Sequence, residues 1–312
     1  MFRISCICTQ NIGLLMIITK LQGGLGNQMF QYAAGRSLSL KLNQPLKLDL
    51  SWFTKMEGCT PRLYELSIFP IEAVIASNDE VLKFSKINHT FVERVVNKLV
   101  GNKKKFSKSI INESDWNFIY DIKPPVLLSG YWQNQKYFLD TKMYLKKDFI
   151  FPEITEIENK DIRKKIFENN NSVSIHVRRG DYVTSDHTRL VHGICSLNYY
   201  KNAVEIIKKS VKSPFYFIFS DEPDWCKKKF NFLDNKKFMI ISHNTNKNSF
   251  RDMQLMTFCK HHIIANSSFS WWGAWLSDNE NKIVIAPERW FSDVEMSKRG
   301  QIEIVPEGWT KI

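Results

Sequence analysis

The segment 172–181 reads SVSIHVRRGD and decides how the second half of the chain folds. Its first residues alternate between small polar and apolar side chains, which predicts a β-strand ending near Val177. Arg178 and Arg179 then lie on the loop at the carboxyl end of that strand, where open α/β sheets bind ligands. Two adjacent guanidinium groups present planar sets of N–H donors that suit a pyrophosphate. A surface salt bridge is the alternative interpretation, because exposed ion pairs are common.

The rest of the second half alternates between strands and helices. The predicted strands span 215–219, 238–241, 262–265 and 282–286, and the predicted helices 196–209 and 270–276. Ser249 with Asp252 predicts a capping box that opens one more helix. The tryptophans of 270–276 are read as core packing. This rhythm predicts a parallel sheet that is covered by helices on both faces.

Three loops follow strands in this half, and they converge on one crevice if their strands are neighbours. The loop 178–181 brings arginines for phosphate groups. Asp221 and Glu222 bring acceptors that suit a ribose diol or the N–H edge of a guanine. Ser267 and Ser268 bring hydroxyls and backbone N–H groups at a helix start, which is a natural anion site. Together the loops predict a pocket for a nucleotide diphosphate.

The first half begins with a βαβ pattern. It predicts a strand at 13–21, a glycine-rich turn at 22–26, a helix at 28–42 and a strand at 45–50. Asn27 is the predicted N-cap of that helix. The run GLGNQM at 24–29 nearly matches the dinucleotide fingerprint, but Met29 replaces the third glycine. A nicotinamide-dependent oxidoreductase is therefore a disfavoured alternative from another class.

The length of 312 residues predicts two domains. We place the boundary in the polar stretch near residue 155, so that residues 1–155 form the first domain and 156–312 the second. The C-terminal tail is a candidate to pack back on the first domain. Residues 1–15 are read as an upstream extension, and the apolar stretch 12–18 is too short to span a bilayer.

The net charge of +12 is concentrated in one segment. Between Val81 and Ile110 there are eight Lys or Arg and one acidic residue. The apolar residues there fall at helical spacing, which favours an amphipathic helix packed on the core with a solvated basic face. Contact with an anionic membrane is the alternative. Nucleic-acid binding is disfavoured because the lysines are not interleaved with stacking aromatics.

The cysteine and acidic residues argue against a metal site. The six cysteines are scattered without a CxxC pair, which disfavours zinc and fits a reduced, cytoplasmic compartment. The sequence also has no Asp-x-Asp pair that would present a divalent ion to a sugar nucleotide. We expect neither a metal nor a cofactor.

Five segments, in order along the chain, resemble the signature segments of the α-1,2-fucosyltransferases (glycosyltransferase family 11). They are 23–32 GGLGNQMFQY, 130–133 GYWQ, 176–181 HVRRGD, 219–222 FSDE and 266–272 NSSFSWW. The resemblance implies an α/β fold of the GT-B type, with two Rossmann-like domains that face each other across a cleft. It further implies GDP-L-fucose as the donor and inverting, metal-independent transfer to the 2-hydroxyl of a terminal β-galactoside. In bacteria such acceptors are often lipopolysaccharide or capsule units, which can be lipid-linked.

The resemblance also implies roles for single residues. His176 and Arg178 would contact GDP, with Arg178 and Arg179 around the pyrophosphate, and Asp221 would face the guanine. The remaining implied donor contacts are Gly26, Asn27 and Gln28 from the first domain and Ser267, Ser268 and Phe269 from the second. We expect a cytoplasmic enzyme, with peripheral contact at the inner face of the plasma membrane as a secondary hypothesis.

Charge develops on the departing GDP during such a transfer, and Arg178 is the candidate to stabilise it. Asp181 or a carboxylate of the first domain is a candidate general base, and a loose transition state would need none. Asn27 is a candidate to orient the acceptor or the leaving group. Transfer of another GDP-hexose, or to another hydroxyl, is the nearest alternative function.

Overall fold

The computed structural model describes residues 15–54, 61–87, 110–118, 122–180, 193–292 and 304–312. These residues form two compact units. Unit 1 comprises the described residues within Met1–Gly24, Gln28–Trp132 and Lys136–Asp148. Unit 2 comprises those within Leu25–Asn27, Gln133–Gln135 and Phe149–Ile312. The chain leaves unit 1 for the last time after Asp148, a few residues before the boundary predicted from the sequence.

Unit 1 is built on a parallel sheet. Its described strands are β1 (Ile17–Lys20), β2 (Leu46–Asp49), β3 (Val74–Ile75), β4 (Ile110–Asn112) and β5 (Val126–Ser129). The helices of this half are α1 (Leu25–Leu42), α2 (Asn78–Ile87) and α3 (Lys142–Asp148), with 3₁₀ turns at Ser51–Thr54, Leu66–Ile68, Glu113–Phe118, Gln135–Tyr137 and Leu139–Thr141. The strand order is β3-β2-β1-β5-β4, and every pair is parallel.

The helix α1 packs closely on β1 because of a glycine in its middle. A side chain at Gly35 would place its Cβ 2.1 Å from the Thr19 hydroxyl, so only glycine permits this approach. The helix begins at Leu25 with Gly24 as its N-cap, and Gly24 makes no side-chain hydrogen bond. The predicted cap at Asn27 is therefore wrong, because the glycine turn lets the helix start earlier and places Asn27 inside its first turn.

Unit 2 is built on a second parallel sheet. Its described strands are β6 (Ser172–Val177), β7 (Phe215–Ser220), β8 (Phe238–Ile241), β9 (His261–Ile263), β10 (Val284–Ala286) and β11 (Thr310–Lys311). Its helices are α4 (Ile157–Glu168), α5 (Leu197–Ser210), α6 (Pro223–Lys229), α7 (Phe250–Phe258) and α8 (Ser268–Leu276), with a 3₁₀ turn at Asn246–Asn248. The order is β11-β10-β9-β6-β7-β8, and every pair is parallel.

Helices cover both faces of this sheet, as the sequence predicts. Val173 and Ile175 of β6 pack in one buried cluster with Tyr200 of α5. Phe217 of β7 packs in another cluster with Leu255 of α7. Each strand therefore sends alternate side chains to opposite helical layers. The three tryptophans of α8 are buried, as predicted.

The structure differs from two local expectations. The capping box at Ser249 does not form: Ser249 makes no side-chain capping bond, and the Asp252 carboxylate accepts a hydrogen bond from Asn244 instead. The helix α4 lies in the polar stretch where we placed the domain boundary. The end of the C-terminal tail, a candidate to pack back on the first domain, forms β11 on the second sheet. Residues 88–109 of the basic segment lie outside the described residues.

Candidate functional site

The strand order of unit 2 brings the three predicted loops together. The central strand β6 pairs with β7 on one side and with β9 on the other. The chain winds from β6 to β8 in one direction and then crosses to β9, so the sheet changes direction between β6 and β9. Ligands of open α/β sheets bind outside the carboxyl ends of the strands at such a switch point. The prediction that these strands are neighbours is confirmed.

Both predicted arginines are held by the loop that follows β7. Arg178 Nη1 lies 2.9 Å from Asp221 Oδ2, and the backbone N–H of Arg179 donates to Asp221 Oδ1 at 2.9 Å. Arg179 Nε donates to Glu222 Oε2 at 3.1 Å, and its guanidinium lies 4.1 Å from the centre of the Trp225 ring. The Arg178 and Asp221 side chains are each 24% exposed, so a ligand can reach the pair. Asp221, which the resemblance places near a guanine, holds the Arg178 side chain and the Arg179 backbone.

His176 lies in the strand just before the arginines and is neutral. Burial, together with the nearby positive charge of Arg178, lowers the pKa of its imidazole to about 3. The ring lies 5.6 Å from the ring of Phe269, at an angle of 33°. Its Nδ1 atom is buried and has no hydrogen-bond partner among the described residues. The imidazole therefore adds a polar, uncharged surface between the loops that follow β6 and β9.

The start of α8 is packed against the start of α1, within unit 2. A Cβ added at Gly26 would lie 2.5 Å from the carbonyl carbon of Ser268 and 2.6 Å from the backbone nitrogen of Phe269. The Trp272 indole also donates to the Gly26 carbonyl at 3.0 Å. Ser267 precedes α8, and its side chain makes no capping bond. Gly26 therefore serves a close backbone approach.

Two amides of the first signature segment have structural partners. Gln133 Nε2 donates to Asn27 Oδ1 at 2.7 Å, within unit 2. Gln28, in unit 1, is fully buried. It donates to the carbonyl of Leu63 at 2.8 Å and accepts from the N–H of Glu65 at 2.9 Å. Because these bonds occupy its amide, the structure gives Gln28 the role of holding the segment 63–65.

One acidic residue of this edge was read from the sequence only as part of a helix cap. Asp252 lies in the first turn of α7, the crossover helix that follows β8, and part of its surface stays exposed. Burial raises the pKa of its carboxyl to about 7, although the hydrogen bond from Asn244 Nδ2, at 2.7 Å, acts in the opposite direction. A carboxyl with this pKa at a sheet's carboxyl edge is typical of a functional site. Its position at the start of a helix that follows a predicted strand was the available signal.

Asp181, a candidate catalytic residue, lies outside the described residues. Within the described ranges, His, Cys, Asp and Glu side chains form no group of three or more that could hold a metal ion. No helix in this described part is both long enough and apolar enough to cross a membrane.

A family model described as glycosyl transferase family 11 matches residues 8–312. The chain belongs to this family. An Escherichia coli alpha-1,2-colitosyltransferase is 37% identical over 95% of this chain and 99% of the relative. The Escherichia coli O-antigen biosynthesis glycosyltransferase WbnK is 36% identical over 89% of this chain and 96% of the relative. A Bos taurus galactoside 2-alpha-L-fucosyltransferase is 30% identical over 34% of this chain and 28% of the relative.

Solved structures agree on the fold of this family 11 enzyme. The crystal structure of the alpha-1,6-fucosyltransferase NodZ soaked with GDP-fucose gives a TM-score of 0.51 at 13% identity, over 84% of this chain and 92% of NodZ. The structure of an Arabidopsis thaliana FUT1 mutant in complex with GDP gives a TM-score of 0.50 at 11% identity, over 87% of this chain and 70% of FUT1. The family resemblance and the two Rossmann-like parallel sheets are confirmed, and the chain is a glycosyltransferase.

Proposed function

We propose that this family 11 enzyme transfers L-fucose from GDP-L-fucose to the 2-hydroxyl of a terminal β-galactoside in a surface glycan. The transfer inverts the configuration at the fucose C1 and uses neither a metal nor a cofactor. The observation that carries the proposal is the pair Arg178 and Arg179 at the switch point of the second sheet. Their charge and fork geometry match the diphosphate of such a donor.

The other residues of that edge suit the rest of a GDP group. The first backbone N–H groups of α8, near Ser268, can donate to phosphate oxygens. His176 and Phe269 provide a partly stacked, uncharged wall. Because Asp221 is engaged with the arginines, we assign the guanine N–H donors to Asp252. Its helix α7 follows β8 as α8 follows β9, so both helices begin at the carboxyl edge of the same parallel sheet, and they pack together at Met256.

The chemical step is a single in-line displacement. A bond forms between the acceptor oxygen and C1 as the bond from C1 to the phosphate oxygen breaks, and the electron pair of that bond leaves with GDP. Arg178 faces the negative charge that develops on GDP and stabilises it electrostatically. The acceptor proton passes to Asp181, to a carboxylate of unit 1, or to water after the new bond has formed. Gly26, Asn27 and Gln28 support the site through their structural contacts.

Colitosyl transfer is the second candidate function. The E. coli colitosyltransferase is similar to this chain over nearly its whole length, with 37% identity over 95% of the chain. Colitose differs from L-fucose by the absence of one ring hydroxyl. A site that hydrogen-bonds this hydroxyl would reject colitose strongly, whereas an apolar wall would discriminate weakly.

The test has two parts. Melting temperatures measured with GDP, GDP-fucose, GDP-colitose, NAD and an oligonucleotide should rise only with the three guanine nucleotides. Equimolar GDP-fucose and GDP-colitose should then compete for a β-galactoside such as lactose, with the product linkage read by NMR. Stabilisation by NAD but not by GDP would overturn the nucleotide-sugar assignment. A colitosylated product would select the second candidate.

A further inference from the structure

The turn 130–132 lies where a parallel sheet binds ligands. It follows β5 directly, and Glu113 follows the neighbouring strand β4. The first sheet runs from β1 to β2 and β3 on one side, while β5 and β4 lie on the other side of β1. The change of direction is therefore between β1 and β5. The turn stands at the carboxyl edge of that switch point, the position that the arginine loop has in the second sheet.

The backbone of this turn is held in an uncommon conformation by one carboxylate. Trp132 has a φ of 57°, which bulky residues rarely adopt. Glu113 Oε2 accepts hydrogen bonds from the backbone N–H groups of Tyr131 at 2.9 Å and of Trp132 at 2.8 Å. A Cβ at Gly130 would lie 2.7 Å from the Cβ of Glu113, so glycine lets the two segments approach.

The turn rests on a packed aromatic base. Trp132 is fully buried and meets Trp116 and Tyr137 edge to face, at ring distances of 5.5 and 5.1 Å. Burial raises the pKa of Glu113, whereas the two backbone hydrogen bonds lower it. Tyr131 differs from this base, because its side chain is 47% exposed. The fold thus fixes a backbone turn and leaves one aromatic ring at the surface.

We propose that the turn 130–132 is the acceptor platform of the enzyme, on which Tyr131 stacks against a terminal galactoside. This rests on the proposed function, because it names where the acceptor of that reaction binds. One face of a galactose ring carries mostly C–H groups, which pack on an aromatic face, while its hydroxyls remain free for polar contacts. Glu113 is a positioning residue: it fixes the turn before the sugar arrives, which lowers the ordering cost of binding.

The first test replaces the ring. Tyr131→Ala should raise the acceptor KM about tenfold, as expected for the loss of one aromatic contact. The KM for GDP-fucose, and the rise in melting temperature with GDP, should stay unchanged. Tyr144→Ala is the matched control, since Tyr144 is an exposed tyrosine on α3, 51% exposed, and should leave every constant unchanged. An unchanged acceptor KM in Tyr131→Ala would overturn the platform.

The second test addresses Glu113. Glu113→Ala leaves two backbone N–H groups without a hydrogen-bond partner and should raise the KM for the acceptor sugar. Glu113→Gln keeps one carbonyl oxygen for these N–H groups, so its KM for the acceptor sugar should be close to that of the wild type. A general base would behave differently, because Glu113→Gln would then lose kcat. Equal losses for donor and acceptor would reduce Glu113 to a structural residue and overturn its positioning role. Tyr131 is 47% exposed, so Tyr131→Ala stays informative if Glu113→Ala is unstable.

The outcomes separate this proposal from the proposed function. If the wild type is stabilised by GDP and fucosylates lactose, but Tyr131→Ala does so with the same acceptor KM, only the platform is wrong. If the wild type transfers no sugar to any β-galactoside, the proposed function itself fails. If Tyr131 contacts only the acceptor sugar, its loss should not affect the donor alone. The rate of GDP-fucose hydrolysis without acceptor should therefore be the same in the wild type and in Tyr131→Ala.

Discussion

The carboxyl edges of the two sheets hold different chemistry on the same architecture. In unit 2 the edge carries two arginines paired with two carboxylates, and these side chains are partly exposed. In unit 1 the carboxylate of Glu113 accepts from backbone N–H groups, and the exposed side chain of the turn is an aromatic ring. The parallel sheet fixes where a ligand binds, and the loops decide which ligand it is.

The difference also shows how each edge is prepared before its ligand binds. Asp221 holds the Arg178 guanidinium and Glu222 holds that of Arg179, so both guanidinium groups are already oriented for an anion. A diphosphate would exchange one anionic partner for another, which limits the reorganisation needed during catalysis. The turn of unit 1 is prepared by hydrogen bonds to its backbone. The two edges are thus pre-organised by opposite means, one through side-chain charge and the other through backbone geometry.

The largest expected effect comes from removing the planar guanidinium of Arg178. It lies at the carboxyl edge of the second sheet, which we call the charged edge. Arg178→Lys keeps the positive charge but loses the planar pair of donors. We expect kcat to fall by about 10²–10³, as for the loss of one charge-stabilising donor, while the fold is retained. Steady-state kinetics and the melting temperature check this. Arg163→Lys is the matched control, because Arg163 is an exposed residue of α4 that contacts the Phe167 ring. A near-normal kcat in Arg178→Lys would remove the assigned role.

The charged edge shows what local sequence patterns predict well. The alternation of strands and helices correctly predicts that the loops after β6, β7 and β9 converge. This alternation does not predict which side chains of the three loops pair with one another. The pairing of Asp221 with Arg178 depends on where the two loops meet in space. The cap predicted at Ser249 fails for the same reason, because Asn244 competes for the Asp252 carboxylate.

The carboxyl edge of the first sheet, where Tyr131 lies, contains contacts that the sequence does not predict. The GYWQ segment is part of the family resemblance. Glu113, which accepts a hydrogen bond from the Tyr131 backbone, is 18 residues away in the sequence and belongs to no motif. The family resemblance implies a donor contact for Gln28, and the structure adds hydrogen bonds from its amide to the backbone of Leu63 and Glu65. Long-range hydrogen bonds of single side chains leave no periodic signal, so only the fold reveals them.

The second prediction concerns the ionisation of Asp252. Its pKa is about 7 in the folded protein, against about 3.9 in an unfolded chain. The raised pKa means that the folded state disfavours the carboxylate, so this contribution to stability is complete below about pH 4 and is lost as the pH rises through 7. Asp252→Asn should therefore become more stable than the wild type as the pH rises from 4 to 8, by on the order of a few kcal/mol.

Urea unfolding at several pH values measures this difference. The difference between the two proteins isolates Asp252, because His176 is present in both. The pKa of His176 is lowered to about 3, so its own contribution has the opposite sign and falls as the pH is lowered below its unfolded value. A constant offset between Asp252→Asn and the wild type across the range would contradict the raised pKa.

The third prediction tests the close approach at the start of α8. Gly26→Ala would place a methyl group 2.5 Å from the Ser268 backbone, which cannot move aside as a side chain could. We expect a loss of about 1–3 kcal/mol in the free energy of unfolding and a lower affinity for GDP, because the first N–H groups of α8 shift. Gly24→Ala is the matched control, since its added Cβ would come no closer than 4.0 Å to a side chain. Equal behaviour of the two variants would exclude the close approach.

The smallest expected effect distinguishes Asp252 from Asp221 as the residue that binds the guanine. If Asp252 accepts the guanine N–H donors, Asp252→Asn presents an N–H where the base needs an acceptor, and the Kd for GDP should rise about tenfold. Because the carboxylate is the binding form, the wild type should bind GDP more tightly at pH 8 than at pH 6, and the variant should show no such change. Asp224→Asn serves as the control, because Asp224 is an exposed residue at the start of α6 that pairs with Lys227. Isothermal titration with GDP measures all three proteins. An unchanged Kd in Asp252→Asn would return guanine recognition to the loop that holds Asp221, where one carboxylate would then have to serve both the base and the arginines.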